Sequence, residues 1–314
     1  MKKLKFRSNR KIKRLRVECR FSYKEISLYR PIAIQHLIID VSAKLRSISE
    51  RARQEANLIL SKVLSVKKEF LLNNPRYIVN PWSQYKVRKL VKNYLKGIPL
   101  AYLLGQREFW GLDFYVGKGV LIPRPETEHL IEFALSLWPA ETKGLRIADL
   151  GTGSAAIAIS AAKYYHFAQI EAIDISSEAA FWAKKNIAHH ELADRVCLKL
   201  VHMVEALSGT YDLVLSNPPY IPTDDIKHLA LHVQNEPHQA LDGGGDGLEF
   251  YHVLAKVAKL HLKPSGYCIM EIGAGQSRDI ELIMLKEGLS IVKIILDYAG
   301  IPRIIVVNKN EGSP

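Results

Sequence analysis

The sequence predicts an α/β fold in which a mostly parallel, seven-stranded sheet follows a small helical bundle. Three observations indicate this. From Leu145 onward, short apolar runs alternate with stretches of helical spacing, as in successive βαβ units. Residues 31–98 carry helical periodicity. Residues 99–128 combine aromatic residues, glycines and prolines with short β-like runs, which is typical of a linker that contains a hairpin.

Two amphipathic helices are predicted in the first region. Residues Ile48–Leu64 place a broad apolar stripe at helical spacing, and Ser47 or Ser49 can cap the start of this helix. A second amphipathic helix is predicted over Gln84–Lys96, and Gly97 ends it. This bundle carries no chemistry of its own, so its charged residues are interpreted as a solvated face or as a surface for a partner.

The linker and the second region supply the strands. A β-hairpin is expected near Phe109–Val116 and Val120–Ile122. The strand-like runs of the sheet are Arg146–Leu150, Gln169–Asp174, Arg195–Leu200, Tyr211–Ser216, Gly266–Ile272, Leu289–Leu296 and Ile301–Val307. Helices are predicted between them at Ser154–Tyr164, Ser177–His189, Glu249–Leu262 and Ser277–Glu287. The expected domains are a basic extension over residues 1–30, a helical domain over 31–98, the linker over 99–128 and the sheet domain over 129–314.

Composition excludes several classes of protein. Of the 314 residues, 48% are hydrophobic and 24% are charged, and no stretch approaches 18 uncharged apolar residues, which excludes a membrane-spanning helix. Cys19, Cys197 and Cys268 are odd in number and lack metal-like spacing. A disulfide scaffold and a structural zinc site are therefore not expected, and a reducing compartment fits best. We expect a cytoplasmic monomer that binds no metal, with an organelle as the alternative location.

The positive charge of the chain is concentrated at its start. The net charge is +12, and residues 1–30 hold 12 Lys or Arg against 2 Glu, which leaves the remaining residues close to neutral. This segment lacks the long apolar core of a secretory signal. It can be interpreted as an arm that contacts RNA weakly, as an organelle-targeting peptide or as a solvated extension.

A glycine-rich turn follows the first strand of the predicted sheet. The run from Asp149 to Ala155 contains Gly151 and Gly153, which allow a tight turn and close approach of a ligand to the main chain. Asp174 ends the second strand, where a carboxylate can accept both hydroxyls of a ribose. The third glycine of the dinucleotide-binding fingerprint is absent. The pattern resembles that of S-adenosylmethionine (SAM) methyltransferases instead.

A second motif, Asn217-Pro-Pro-Tyr220, follows the fourth predicted strand at the same edge of the sheet. The lone pair of an amide or exocyclic amino nitrogen is delocalised, so methylation of this nitrogen requires precise positioning. The side-chain oxygen of Asn217 and the carbonyl of Pro218 can accept both hydrogens of an NH2 group. Tyr220 offers a planar face for stacking. The predicted chemistry is direct methyl transfer from SAM through positioning and electrostatics.

The chain resembles the HemK/PrmC family of protein-(glutamine-N5) methyltransferases over residues 45–308. Beyond the two motifs above, the resemblance rests on further segments of this sequence: Gly105 with Arg107–Leu112, Leu121–Glu128, Glu236-Pro237, Ala240–Gly244 with Asp246-Gly247, Glu271–Gly273 with Gln276, and Asp297 with Gly300 and Arg303.

The resemblance implies a Rossmann-like, SAM-dependent methyltransferase domain that acts on peptide chain release factors. It implies that SAM is the co-substrate and that the helical domain helps to dock the factor. The Pro123–Glu128 segment is expected to border the active site. The residues implied to hold the glutamine amide of a Gly-Gly-Gln segment are Asn217, Pro218, Pro219 and Tyr220, with Asn217, Pro218 and Tyr220 catalytic. Those implied to bind SAM are Gly151, Thr152, Gly153, Ser154, Ala155, Asp174, Met203 and Asn217.

Two residues depart from the pattern of the family. Ala155 stands where the family usually has glycine, and its methyl group is expected to crowd the amino-acid part of SAM unless the backbone is helical there. His202 stands where an acid usually contacts adenine, while Met203 can still cover the adenine face and Glu205 can substitute if the loop is shifted. We therefore expect weaker SAM binding than in a typical member.

Two other functions remain open at this point. The Asn217–Tyr220 motif also suits adenine, so an adenine-N6 methyltransferase acting on RNA or DNA is one alternative, which the basic first 30 residues favour and the near-neutral remainder does not. The other alternative is a non-catalytic module that binds a release factor or the ribosome, and the presence of Asp174 and Asn217 argues against it.

Overall fold

The computed structural model describes residues 29–309, which divide into two compact units, one up to Val91 and one from Lys92 onward. The expectations for the basic segment therefore lie almost wholly outside the described residues, as does Cys19. Among residues 29–309, no helix is long and apolar enough to cross a membrane.

The first unit is helical, as predicted. Its helices are α1 (Ile34–Leu45), α2 (Ala52–Leu64), α3 (Lys68–Asn73) and the greater part of α4 (Pro81–Leu95), and two short antiparallel strands, β1 (Ile32–Ala33) and β2 (Ile78–Val79), accompany them. The apolar stripe of α2 is buried at Ala56, Ile59 and Leu60. The predicted start of α2 was wrong by four residues, because Ser49 Oγ accepts the amide of Arg51 in the preceding turn instead of capping the helix.

The second unit opens with the rest of α4, a short helix α5 (Leu100–Leu104) and a β-hairpin of strands β3 (Gln106–Phe109) and β4 (Leu112–Tyr115). The predicted position of this hairpin was wrong. Trp110 and Gly111 have φ values of 52° and 70° and form a two-residue turn inside the run that had been assigned to one strand. Residues 120–122 form no strand.

The sheet of the second unit has seven strands in the order β10-β11-β9-β8-β5-β6-β7. The pairs among β5 to β9 are parallel, and β11 runs antiparallel to both β9 and β10, which confirms the predicted mostly parallel sheet. The strands are β5 (Arg146–Leu150), β6 (Gln169–Asp174), β7 (Val196–Leu200), β8 (Tyr211–Ser216), β9 (Leu262–Glu271), β10 (Leu289–Leu296) and β11 (Pro302–Lys309).

Helices and short 3-10 turns surround this sheet. The helices are α6 (Glu128–Leu135), α7 (Ala156–Tyr164), α8 (Ser177–His189), α9 (Met203–Ala206), α10 (Leu231–Gln234), α11 (Glu249–His261) and α12 (Ser277–Lys286). The 3-10 turns are Pro125–Thr127, Thr223–His228 and His238–Ala240.

Both faces of the sheet are buried, since successive side chains of a strand point to opposite faces. On β8, Leu213 and Leu215 pack in the core that contains α6 and α7, whereas Val214 packs in the core that contains α11 and α12. The carboxyl ends of the central strands are therefore held rigidly between two apolar layers.

Candidate active site

The candidate site lies at the carboxyl ends of β5, β6 and β8. Strand β5 has β6 on one side and β8 on the other, so the connections leave it in opposite directions. In open α/β sheets, ligands bind in the crevice that such a reversal creates. The sequence motifs that follow these three strands therefore converge at one place.

A cavity of about 1050 Å³, including its open mouth, occupies this crevice. The predicted SAM residues that line it are Gly151, Thr152, Gly153, Ser154, Asp174, Met203 and Asn217. From the second motif, Pro219 lines it as well.

The glycine-rich turn is held by hydrogen bonds to its neighbours. The amides of Gly151 and Thr152 both donate to the carbonyl of Ile173 at 2.9 Å. Gly151 and Gly153 have φ values of 71° and 57°, and a Cβ atom at either position would meet no atom closer than 3.9 Å. Glycine is therefore favoured here by backbone conformation rather than by lack of space.

Asp149 connects this turn to the first turn of α7 through hydrogen bonds. Its Oδ2 atom accepts from Thr152 Oγ1 at 2.5 Å and from the amide of Ala158 at 3.1 Å. Its Oδ1 atom is buried and has no hydrogen-bond partner among the described residues. Burial raises the pKa of Asp149 to about 7, against the lowering effect of the Thr152 and Ala158 hydrogen bonds.

Asp174 faces the cavity from the end of β6. Its Oδ2 atom accepts from the amide of Gly153 and its Oδ1 atom from the amide of Ser176, both at 2.8 Å. Desolvation raises the pKa of Asp174, and these hydrogen bonds oppose the rise. Each carboxylate oxygen has more than one lone pair, so the oriented group can still accept hydroxyl hydrogens.

Ala155 is the one predicted SAM residue that does not line the cavity. It has φ 63° and ψ 25°, which is left-handed, so the helical backbone that would tolerate a side chain here is not formed. Its methyl group is fully buried in the core beside α7 instead of projecting into the cavity. The structure therefore gives no support to the expected crowding of SAM.

The loop after β7 brings two of its three discussed residues to the cavity. His202 and Met203 line it, and Met203 also packs against the core that contains α11. Glu205 is exposed and does not line the cavity, so the loop is not shifted in the way that a substitution for the usual acid would require.

The Asn217–Tyr220 motif borders both this cavity and a second one of about 520 Å³, including its mouth. Asn217 and Pro219 line both cavities, whereas Pro218 and Tyr220 line only the second. The adjoining Ser216 anchors the motif, because its Oγ atom donates to the carbonyl of Leu150 at 2.8 Å. A group held in the second cavity would therefore meet Asn217, which also lines the first cavity.

Thr127 and Glu271 belong to this site, although the sequence alone predicts no individual role for either residue. Thr127 Oγ1 accepts from Asn217 Nδ2 at 3.0 Å and donates to the buried carboxylate of Glu271. Tyr220 Oη donates to the other oxygen of Glu271 at 3.3 Å. Glu271 ends β9, which neighbours β8, and this position at the carboxyl edge was the signal that could have revealed it.

The glycine-rich segment 242–247 supports the backbone of Tyr220. The amide of Ile221 donates to Leu241 O at 3.0 Å, and the amide of Gly243 donates to Ile221 O at 2.9 Å. Gln276 Nε2 donates to Tyr220 O at 2.9 Å. The motif is therefore held by hydrogen bonds from two further segments of the chain.

Arg124 borders the second cavity and is held by an acid. Its guanidinium donates to Glu236 Oε1 at 2.6 Å, and Glu236 Oε2 accepts the amide of Ile122 at 2.9 Å. The side chain of Glu236 is fully buried, whereas that of Arg124 is 27% exposed. Together with Pro123 and Thr127, which line the first cavity, this places the Pro123–Glu128 segment beside both cavities. In the described part of the chain, no three His, Cys, Asp or Glu side chains group as metal ligands would.

Two family models match the chain. The model described as PrmC N-terminal domain matches residues 36–105, and the model described as Methyltransferase small domain matches residues 132–270. The release factor glutamine methyltransferase of Bradyrhizobium diazoefficiens is 36% identical over 274 residues, which are 86% of this chain and 92% of the relative. That of Coxiella burnetii is 36% identical over 281 residues, which are 88% of this chain and 99% of the relative.

Solved structures agree with these matches at the level of the fold. The hMettl16 catalytic domain, solved in complex with MAT2A 3'UTR hairpin 6, aligns with a TM-score of 0.53 and 16% identity. The alignment covers 68% of this chain and 83% of that chain. At this identity the similarity concerns the fold alone.

Proposed function

The chain belongs to the family of release factor glutamine methyltransferases, and we propose that it methylates the side-chain amide nitrogen (N5) of a glutamine in peptide chain release factors. The glutamine is that of the Gly-Gly-Gln segment, and SAM is the co-substrate. Translation termination is the process that the modification tunes.

The observation that carries this proposal is that Asn217 lines both cavities. Its Nδ2 atom donates to Thr127, which leaves the carbonyl oxygen Oδ1 as the acceptor for a ligand. An amide NH2 group held in the second cavity donates one hydrogen to this oxygen and the other to the carbonyl of Pro218. With both hydrogens held, the nitrogen lone pair is aimed across Asn217 toward the first cavity.

The first cavity fits SAM by the groups that line it. SAM supplies an electrophilic methyl group on a sulfonium ion when it is bound. Asp174 accepts the ribose hydroxyls, Met203 covers the adenine face, and the turn from Gly151 to Ser154 holds the amino-acid part. Ala155 acts from the core by setting the backbone of this turn.

The remaining residues of the motif hold and shield the glutamine. Tyr220 presents its ring to the planar amide, while Pro218 and Pro219 restrict the backbone so that the Pro218 carbonyl keeps one direction. The amide proton leaves after transfer, so no strong base is required. Catalysis on this account is orientation combined with electrostatic complementarity.

The other parts of the chain are assigned to partners. We propose that the helical residues 31–98 dock the release factor and that residues 129–314 carry out the chemistry, with residues 99–128 joining them. A monomer located in the cytoplasm and without a metal ion suffices for this reaction. The basic residues 1–30 contact RNA weakly in this proposal.

Methyl transfer from labelled SAM tests the proposal. Three substrates are compared: a purified release factor, the same factor with Gln→Ala in its Gly-Gly-Gln segment, and total RNA. Label on the unmodified factor alone is expected. Label on RNA would support an adenine-N6 methyltransferase instead, and no label beside an active control enzyme would support a non-catalytic module.

A further inference from the structure

One buried carboxylate is connected to both polar side chains of the Asn217–Tyr220 motif. Glu271 is 1% exposed at the end of β9. Its Oε2 atom accepts from Thr127 Oγ1, and its Oε1 atom accepts from Tyr220 Oη at 3.3 Å. Thr127 is 3% exposed and in turn accepts from Asn217 Nδ2 at 3.0 Å. The network thus joins the ends of β8 and β9 to the turn before α6.

The direction of each hydrogen bond follows from the numbers of protons available. An ionised carboxylate only accepts, so the single hydroxyl proton of Thr127 goes to Glu271. The lone pairs of the Thr127 oxygen then face Asn217, and only the NH2 group of Asn217 can satisfy them. If the Asn217 amide were reversed, its carbonyl oxygen would face the Thr127 oxygen, and neither atom would have a proton to share.

We propose that Glu271 and Thr127 are positioning residues for methyl transfer, which fix the carbonyl oxygen of Asn217 as the acceptor that the substrate amide meets. Glu271 also fixes the hydroxyl of Tyr220, so a single buried group orients both sides of the amide site. Neither residue lines the cavity that is assigned to the glutamine amide. The proposal rests on the proposed function and deepens it.

The electrostatic surroundings of Glu271 make this orientation sensitive to pH. Burial is the main cause that raises the pKa of Glu271 to about 7; the hydrogen bonds from Thr127 and Tyr220 and the charge of Arg303 oppose the rise, and the charge of Glu126 adds to it. The hydroxyl of Tyr251, on α11, donates to the backbone carbonyl of Glu271. Protonated Glu271 can donate to Thr127 and so permits either orientation of Asn217.

Variants of Thr127 test the orienting bond. Thr127→Val keeps the shape of the side chain and removes the hydroxyl, so we expect kcat to fall tenfold to a hundredfold while KM for SAM changes less than threefold. Thr127→Ser restores the hydroxyl and is expected to recover kcat to within threefold of the unmodified protein. Thr210→Val, at an exposed position, is the matched control.

The variant Glu271→Gln tests the carboxylate. In the unmodified protein kcat is expected to rise with pH through a midpoint near 7, because ionised Glu271 enforces the productive orientation. Glu271→Gln is expected to lack this rise. Equal kcat for Thr127→Val and the unmodified protein would overturn the proposal, as would a rise with pH that persists unchanged in Glu271→Gln.

A readout without substrate separates this proposal from the proposed function. The side-chain amide resonances of Asn217, assigned by their loss in Asn217→Ser, are followed by NMR as a function of pH. We expect them to shift with a midpoint near 7 in the unmodified protein and to stay constant in Glu271→Gln. Resonances that do not respond to pH would overturn the positioning role. Failure of the unmodified protein to methylate a release factor would count against the function alone.

Discussion

The close packing of Gly243 against the backbone of Tyr220 makes Gly243 a sensitive position, although it lines neither cavity. A Cβ atom at this residue would lie 2.8 Å from the Cα and 2.9 Å from the carbonyl carbon of Tyr220, and 2.9 Å from the Cα of Gly247. Carbon atoms in contact prefer about 3.5–4.0 Å, so Gly243→Ala must separate these segments by roughly 1 Å. All three neighbours are backbone atoms, which cannot rotate away.

This displacement is expected to change both the reaction rate and the stability of the protein. A shift of about 1 Å in a positioning element can lower a rate by about 100-fold, while overpacking typically costs about 1–3 kcal/mol of stability. We expect Gly243→Ala to lower kcat at least tenfold and to leave SAM affinity within threefold, because Gly243 does not line the first cavity, which is assigned to SAM.

Gly245 provides the matched control in the same segment. A Cβ atom there meets nothing within 4 Å, and its φ is not in the left-handed region. Steady-state methyl transfer, calorimetric SAM binding and thermal unfolding are measured for both alanine variants. Gly245→Ala is expected to stay within twofold of the unmodified protein. Equal kcat for Gly243→Ala and Gly245→Ala would refute the reasoning.

Three further outcomes are expected. Burial raises the folded-state pKa of Asp149 and Glu271 to about 7 from ordinary values near 4. The stability that each group contributes when protonated is therefore present below pH 4 and is lost as pH rises through 7, an effect of up to ~4 kcal/mol per group. Glu271→Gln should flatten the fall in melting temperature between pH 5 and 8, and an unchanged fall would contradict this. Asp174→Ala should weaken SAM binding at least tenfold in calorimetry, since it removes an oriented acceptor and releases the amides of Gly153 and Ser176; binding within twofold would count against its ribose role. Weaker SAM affinity than in a typical member of the family stays a prediction, and two variants test it. Ala155→Gly is expected to change the affinity less than threefold, whereas His202→Asp is expected to raise it about fivefold through a hydrogen bond worth about 1 kcal/mol. A large gain in affinity from Ala155→Gly would support the crowding of SAM by the methyl group.

The residues that the sequence alone located all follow directly from strand ends. Gly151, Asp174 and Asn217 each stand at or just after an apolar run, and parallel strands bring their carboxyl ends to one edge. Their approach to a common cavity could therefore be predicted without knowledge of long-range packing. The seven strands of the sheet followed from the same apolar pattern.

Local backbone conformations that residue type does not reveal explain the misplaced hairpin and the position of Ala155. Trp110 has a positive φ, which is uncommon for a bulky residue. The aromatic run that contains it therefore predicts a continuous strand, although the turn of the hairpin lies within this run. Ala155 also takes a positive φ, and its methyl group enters the core rather than the cavity. In both cases tertiary packing overrides local preference.

The network around Glu271 could not be predicted because its members are distant in sequence. Thr127 and Glu271 are 144 residues apart, and Thr127 and Asn217 are 90 residues apart. Each residue could be quoted from a motif, but only the fold brings the turn before α6 to the end of β9. Hydrogen-bond direction among buried groups emerges only when all partners are known.

The most direct test of the account is single-turnover methyl transfer to a release factor by Asn217→Ala, with SAM binding measured in the same samples. Asn217 supplies the acceptor that orients the substrate amide in the proposed reaction. The variant is expected to lose at least 100-fold in transfer rate, while SAM affinity falls only a fewfold. Transfer within threefold of the unmodified protein would contradict the account.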